Sequence, residues 1–134
     1  GRWAQRLLEP WIRKSVVRMV GHLPTTAYAR MLKSSHVHCY LTRPFVASWS
    51  LLDAMSSGCC IVGSDLEVVR EITDPKATIW VDHRDQESLV EGMSRALELK
   101  HEERMHRGRL QRQKAEQAWN RALSLRSWQG LLGI

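Results

Sequence analysis

No stretch of this sequence approaches the ~20 uninterrupted apolar residues that a membrane-spanning helix requires. The opening residues Gly1, Arg2, Trp3, Ala4, Gln5 and Arg6 also lack the apolar middle of a signal peptide. Both absences point to a cytoplasmic protein. Cysteine is sparse, with three in 134 residues, and Cys59 and Cys60 are adjacent. An odd count with a vicinal pair argues against a disulfide framework. Without CxxC spacing there is no zinc-ligand pattern either, and no metal is expected. Cys39, Cys59 and Cys60 instead read as small buried apolar residues on strands. Internal repeats and low-complexity tracts are missing as well.

What is present is a hydrophobic fraction of 43%, enough for one modest core; a chain this long buries roughly two-thirds of its extended surface on folding. The net charge of +6 invites a nucleic-acid reading, but its distribution opposes one. Residues 100–126 hold eight basic groups (Lys100, Arg104, Arg107, Arg109, Arg112, Lys114, Arg121, Arg126) against three acidic ones, leaving 12 basic and 11 acidic residues elsewhere. The body of the chain is therefore nearly neutral and offers no general polyanion surface. The cations of residues 100–126 are scattered rather than collected on one stripe. They read as a solvated helix face, and peripheral membrane contact through them is a weaker alternative.

Trp3, Leu7, Leu8, Trp11 and Ile12 recur at helical spacing, with Pro10 expected to end or bend the helix. Val16 to Gly21 is a short apolar run closed by glycine and reads as a buried strand. Thr25 or Thr26 can cap a short helix ending near Ser35. His36–Thr42 reads as a second strand, with Val37, Cys39 and Leu41 alternating against His38, Tyr40 and Thr42. Ser48 to Gly58 reads as a helix with serine caps at its start and glycine at its end. Cys59–Ser64 is a third strand, Val68–Ile72 a short helix and Thr78–Asp82 a fourth strand. Asp85 caps a longer helix with a stripe of Leu89, Val90, Met93, Ala96 and Leu97. A last helix runs from about Glu102 toward Trp128, with Ala115, Ala118, Trp119 and Ala122 on one face. Repeated βα units mean an α/β fold: a parallel sheet of about four strands with flanking helices.

In such sheets ligands bind beyond the carboxyl ends of the strands, here at residues 21–25, 43–50, 64–67 and 82–85. The second loop is the most informative. It delivers Ser48, Trp49 and Ser50 to the first turn of a helix, whose free amides and dipole suit a phosphate. Asp53, one turn deeper, can accept hydrogen bonds from a diol such as ribose, or it can simply answer the helix dipole. Phe45 and the pair Leu23 and Pro24 can flank a base. His22, His36, His38 and His83 lie near strand ends and read as structural or solvated.

The run from Val37 to Gly58, VHCYLTRPFVASWSLLDAMSSG, followed by CCIVGSDLEVVRE, resembles the signature of the group 1, or family-4-type, GT-B glycosyltransferases. That signature has the form E-x7-E, then A-M-A-x-G and a buried strand ending in S-D. Asp53 falls on the second acidic position, Ala54-Met55-Ser56-Ser57-Gly58 on the helix end, and Ser64-Asp65 with Arg70-Glu71 on the strand end and the segment after it. The resemblance runs from about Val17 to Leu97. It implies an incomplete Rossmann-like GT-B C-terminal domain that holds a nucleotide-sugar donor for a hexosyltransferase-type enzyme. The amides near Ser48, Trp49 and Ser50 match positions binding the donor diphosphate. Asp53 matches the carboxylate that takes the ribose hydroxyls, and the loop after Gly21, with Leu23, lies beside the base.

Two positions depart from the pattern. Phe45 stands where the first acidic residue belongs, in a loop similar to that of a branch of the family reading PFV-x-SWSLLEAM, and Asp53 is one methylene shorter than glutamate. No catalytic residue is assigned. The resemblance also implies that the acceptor domain and the basic pair facing the leaving diphosphate would lie upstream of Gly1, so that these residues alone would be inactive. The organisation read from the sequence is a helical remnant at 1–15, a partial nucleotide-sugar-binding domain at 16–100 and a basic helix at 101–134. The expected partners are a nucleotide sugar and no nucleic acid, with no cofactor. Self-association is expected through an edge strand at Val16–Val20 and the Trp3, Leu7 and Trp11 surface, or else docking of a chain that supplies the missing domain. A non-catalytic nucleotide- or protein-binding module of the same fold is the alternative.

Overall fold

A computed structural model describes residues 2–44 and 48–119, with side chains from Arg6 onward. Its elements in chain order are α1 (Arg2–Arg13), α2 (Thr25–Ser34), β1 (His38–Tyr40), α3 (Trp49–Ser56), β2 (Ile61–Ser64), α4 (Glu67–Ile72), β3 (Ile79–Val81), α5 (Gln86–Glu98) and α6 (His101–Ala118). The three strands form a parallel sheet in the order β1-β2-β3, with His38 opposite Ile61 and Val62 opposite Ile79.

Every residue of β2 is buried, as a central strand covered on both faces must be. On one face Tyr40, Ile61 and Trp80 meet Leu51 and Met55 of α3, Val69 and Ile72 of α4 and Ala115 of α6. On the other, Val62, Ile79 and Val81 meet Leu89, Met93 and Ala96 of α5. Leu32 and Tyr28 of α2 pack on Ala54 and Cys59, beside α3. The fold is thus α/β and partly Rossmann-like, with three strands among the described residues.

The strand expected over Val16–Gly21 does not form. The amides of Val16 and Val17 both donate to the Trp11 carbonyl, closing α1 instead of joining a ladder. Val16 is 70% exposed, and Met19 and Val20 are exposed too. β1 is therefore an edge of the described sheet, and Val16–Val20 supplies no edge strand for self-association.

Other local expectations also shift. α1 runs through Pro10. α2 is preceded by Pro24 at its N-cap, and Thr25 and Thr26 lie in its first turn. Ser48 occupies the α3 N-cap, yet its hydroxyl meets Ser50 Oγ at 2.5 Å rather than capping. On α5, Leu89, Gly92, Met93 and Ala96 turn inward, whereas Val90 and Leu97 are exposed. Asp85 does cap that helix, accepting from the Glu87 amide at 3.0 Å. Trp128 and Ala122, expected on the last helix, lie outside the described residues.

Two glycines set how closely layers approach. Gly58 ends α3 with φ +75°, and α6 crosses there so closely that a Cβ on Gly108 would overlap the Gly58 carbonyl. On the opposite face a Cβ on Gly92 would overlap Val81 Cγ1. α6 is further pinned by Gln111, fully buried, which accepts from the Asp74 amide at 3.0 Å and donates to Thr78 Oγ1 at 2.8 Å. Among the described residues no buried side-chain polar atom lacks a partner, as a close-packed interior requires.

The cysteines divide differently from expectation. Cys59 and Cys60 are buried just ahead of β2, whereas Cys39 on β1 is exposed. α5 packs over β3 and β2, so the β1 end of that face is less covered. Cys59 donates to the Leu32 carbonyl at 3.2 Å, and burial, with a smaller contribution from Cys60, pushes its thiol up to about 11.

This packing has two measurable consequences. Gly108→Ala forces α6 off Gly58 and should destabilise by ~1–3 kcal/mol, read as a lower midpoint in thermal unfolding; an unchanged midpoint would contradict the crossing. An aromatic disulfide reagent at pH 8 should titrate one accessible thiol in the folded protein, Cys39, more slowly than a free thiol because partial burial raises its pKa, and three after unfolding, whereas rapid reaction of Cys59 would contradict its burial.

Candidate functional site

Because both strand pairs are parallel, the connections that leave β1, β2 and β3 emerge at one edge of the sheet. Local bonds tie them together. The Thr42 amide donates to the buried Ser64 hydroxyl at 3.0 Å, joining the exit of β1 to the end of β2. The Asp65 amide donates to the Val81 carbonyl at 2.8 Å, joining the exit of β2 to the end of β3.

The exit of β1 leads into α3, whose first turn the sequence marked. Ser48 is exposed and its amide donates to Tyr40 Oη at 2.9 Å, so that amide is already engaged. Trp49 is 81% exposed and Ser50 half-buried. The amides of a helix's first turn have no intrahelical acceptor, and their dipole favours an anion. Asp53 is exposed on α3, and its carboxylate helps raise the Tyr28 phenol on α2, although burial is the larger cause. Ser48, Trp49 and Ser50 therefore lie at the start of α3, whereas Asp53 is the fifth of its eight residues and lies within electrostatic reach of Tyr28 on α2. Leu23 is half-buried in the connection entering α2, and among the described residues no hydrogen bond joins that connection to the α3 turn. Phe45 lies outside the described residues.

A cavity of about 400 Å³ opens at the same edge, where the strand exits at 43–50, 64–67 and 82–85 meet; it is lined by Pro44, Asp65, Leu66, Trp80, Val81, Asp82, His83, Arg84 and Ser88, none of which carried an individual binding role in the sequence reading. Asp65 is held by Arg70 through Nε at 2.5 Å and Nη2 at 2.9 Å, and Arg70 in turn stacks over the Trp80 ring at 4.5 Å. Asp82 accepts from the Arg84 amide at 2.9 Å and from its guanidinium, while Ser88 Oγ accepts from the Asp82 amide at 3.0 Å. The hydrogen bond from Arg70 is the main reason Asp65 stays below the usual carboxylate range, and the bond from Arg84 does the same for Asp82. The Asp82 charge works slightly against ionisation of Asp65. Two ionised, arginine-oriented carboxylates with a serine and a histidine in one concavity form a hydroxyl-accepting surface. Strands ending in Gly-Ser-Asp and Trp-Val-Asp were the available signal; that they share a cavity depends on the β2–β3 register.

Residues 12–114 match the family described as glycosyl transferases group 1. The chain belongs to this family. Its role accordingly lies in glycosyl transfer. No curated protein and no solved structure matches it. The match spans β1 to β3, the α3 turn and the cavity, and most of α6. Among the described residues no group of three or more His, Cys, Asp or Glu side chains could hold a metal ion, and no helix is long and apolar enough to cross a membrane.

The ion pair at the cavity gives a pH signature. A carboxylate with a depressed folded pKa stabilises the fold fully above its unfolded value near ~4, and that contribution is lost as pH falls through the lower folded value. Arg70→Gln should therefore lower the melting temperature slightly at pH 7, by about 2 °C or less for so exposed a pair. The gap to the parent should narrow between about pH 4 and pH 2, to what loss of the Arg70 stacking on Trp80 leaves; a gap that widens on acidification would contradict the Asp65–Arg70 assignment.

Proposed function

We propose that this glycosyltransferase-family chain holds a nucleotide-sugar donor at the strand-exit edge. In this reading the diphosphate lies against the first turn of α3 at Ser48, Trp49 and Ser50, and Asp53 accepts the ribose hydroxyls. Leu23 and Phe45 flank the base, and the sugar extends toward Asp65 and Asp82. The observation that carries the reading is the exposed α3 N-terminus, with Trp49 open at its mouth, set at the same edge as a cavity lined by two ionised carboxylates. The diphosphate meets amides and a helix dipole, whereas a polyol meets acceptors, so the two halves of a nucleotide sugar find different chemistry in order along the sheet.

Donor binding and transfer separate in this reading. The first acidic position of the family pattern is Phe45, which has no carboxylate to stabilise positive charge developing on a sugar. Loss of a single electrostatic contributor of this kind can cost ~3–4 kcal/mol of transition-state stabilisation. These residues alone are proposed to bind the donor without transferring its sugar, and a nucleotide-binding module of the same fold is the second reading that Phe45 favours. No metal or further cofactor is invoked.

The deciding experiment is titration of the protein with uridine, guanosine and adenosine diphosphates and their hexose conjugates, monitored by calorimetry and tryptophan fluorescence. One nucleotide series should bind and perturb the emission, with Trp49→Phe removing most of the optical change but not the heat. Asp53→Asn should weaken that ligand about 10- to 100-fold, the worth of a charge-assisted hydrogen bond of ~1.5–3 kcal/mol. Absence of binding to every nucleotide at several millimolar would end the donor-site reading.

A further inference from the structure

α1 is strongly one-sided. At about 100° per residue, Leu7 and Trp11 stand within about 40° of each other, and Arg6, Glu9 and Arg13 fall together on the opposite arc. Leu8 and Ile12 are half-buried, but Leu7 remains 55% and Trp11 50% exposed. The exit from α1 continues in the same character, with Val16, Met19 and Val20 exposed. Five of the eleven exposed large hydrophobic side chains among the described residues thus fall between residues 7 and 20, so apolar exposure is concentrated there rather than scattered.

The charge of this stretch is equally biased. Arg6, Arg13, Lys14 and Arg18 are exposed against one acidic residue, Glu9, which Arg13 already binds. On the polar side, Arg6, Glu9, Pro10, Arg13 and Lys14 line a shallow concavity of about 510 Å³. The cations of α6 differ: Arg104 donates to the Leu97 and Leu99 carbonyls, Arg107 to those of Lys76 and Ala77, and Arg112 to Glu116.

We propose that residues 6–20 form a docking surface for a bilayer containing anionic lipid. Leu7, Trp11 and the apolar groups beyond them enter the boundary between headgroups and acyl chains, and Arg6, Lys14 and Arg18 meet the lipid phosphates. Charge complementarity selects this occupant. A second copy of the chain placed face to face would bring one net-positive stretch against another. A nucleic acid would satisfy the cations yet leave Leu7, Val16, Met19 and Val20 without an apolar partner.

Vesicle flotation tests this with the full chain, using phosphatidylcholine alone and with about 30% phosphatidylglycerol, at about 0.1 M and 1 M salt. Binding is expected to the anionic vesicles and to weaken in high salt. The double reversal Arg6→Glu with Lys14→Glu should reduce it at least tenfold, as should Trp11→Glu; Leu7→Ser serves in its place if Trp11→Glu fails to fold by circular dichroism. Failure to bind anionic vesicles would overturn the proposal, as would binding that none of these variants changes. So would self-association, seen by light scattering, that Trp11→Glu abolishes, or oligonucleotide binding that accounts for the charge dependence and is indifferent to Trp11→Glu.

Discussion

The parallel pairing of β2 with both neighbours is the constraint on which the rest of the molecule depends. Ile61 opposite His38 and Ile79 opposite Val62 fix all three strands in one direction, so every strand exit opens at one edge. A parallel sheet must be covered on both faces, and β2 is, by α3, α4 and α6 on one side and α5 on the other. Only the ends are left for chemistry. The first turn of α3 and the Asp65–Asp82 cavity follow strands that exit at one edge of the sheet.

The covering layers are held close by absent side chains as much as by present ones. Gly108 over Gly58 and Gly92 over Val81 allow backbone approaches that a methyl group would prevent. Close approach of α6 then lets Gln111 reach the Asp74 turn, where Asp74 Oδ1 already accepts from the Lys76 and Ala77 amides. That turn leads directly into β3, so the register that places Asp82 opposite the exit of β2 is braced from the far end of the strand.

Signals that are local in the chain were readable from it. Gly58 stops α3, Asp85 caps α5, and the runs around Ile61–Ser64 and Ile79–Val81 are strands, each for a reason contained within a few residues. Features that depend on distant partners were not. Val16–Val20 and Cys59–Ser64 are similar apolar runs, but only the second has strands on both sides, while the first spends its leading amides on the Trp11 carbonyl. Alternation along β1 suggested that Val37, Cys39 and Leu41 face inward; Tyr40 is the buried residue, because α3 covers its face more fully than α5 covers the other. The strand exits that line the cavity were legible in the same local way, but their convergence was not, since Asp65 and Asp82 meet only through the β2–β3 pairing.

Where positive charge is spent separates the two basic parts of the chain. Along α6, guanidinium groups terminate α5, cross to the Lys76 and Ala77 carbonyls and pair with Glu103 and Glu116. Two of the cations in this dense stretch, Arg104 and Arg107, are therefore structural, tying α6 to the end of α5 and to the turn before β3. Along residues 6–20 the acidic partner among the described residues is Glu9, bound by Arg13, and among the described residues no backbone carbonyl accepts from Arg6, Arg13, Lys14 or Arg18. Composition treats the two stretches alike; what differs is whether each charge finds an acceptor in its own fold. A cation that does contributes to packing, and one that does not is available to a surface outside the chain.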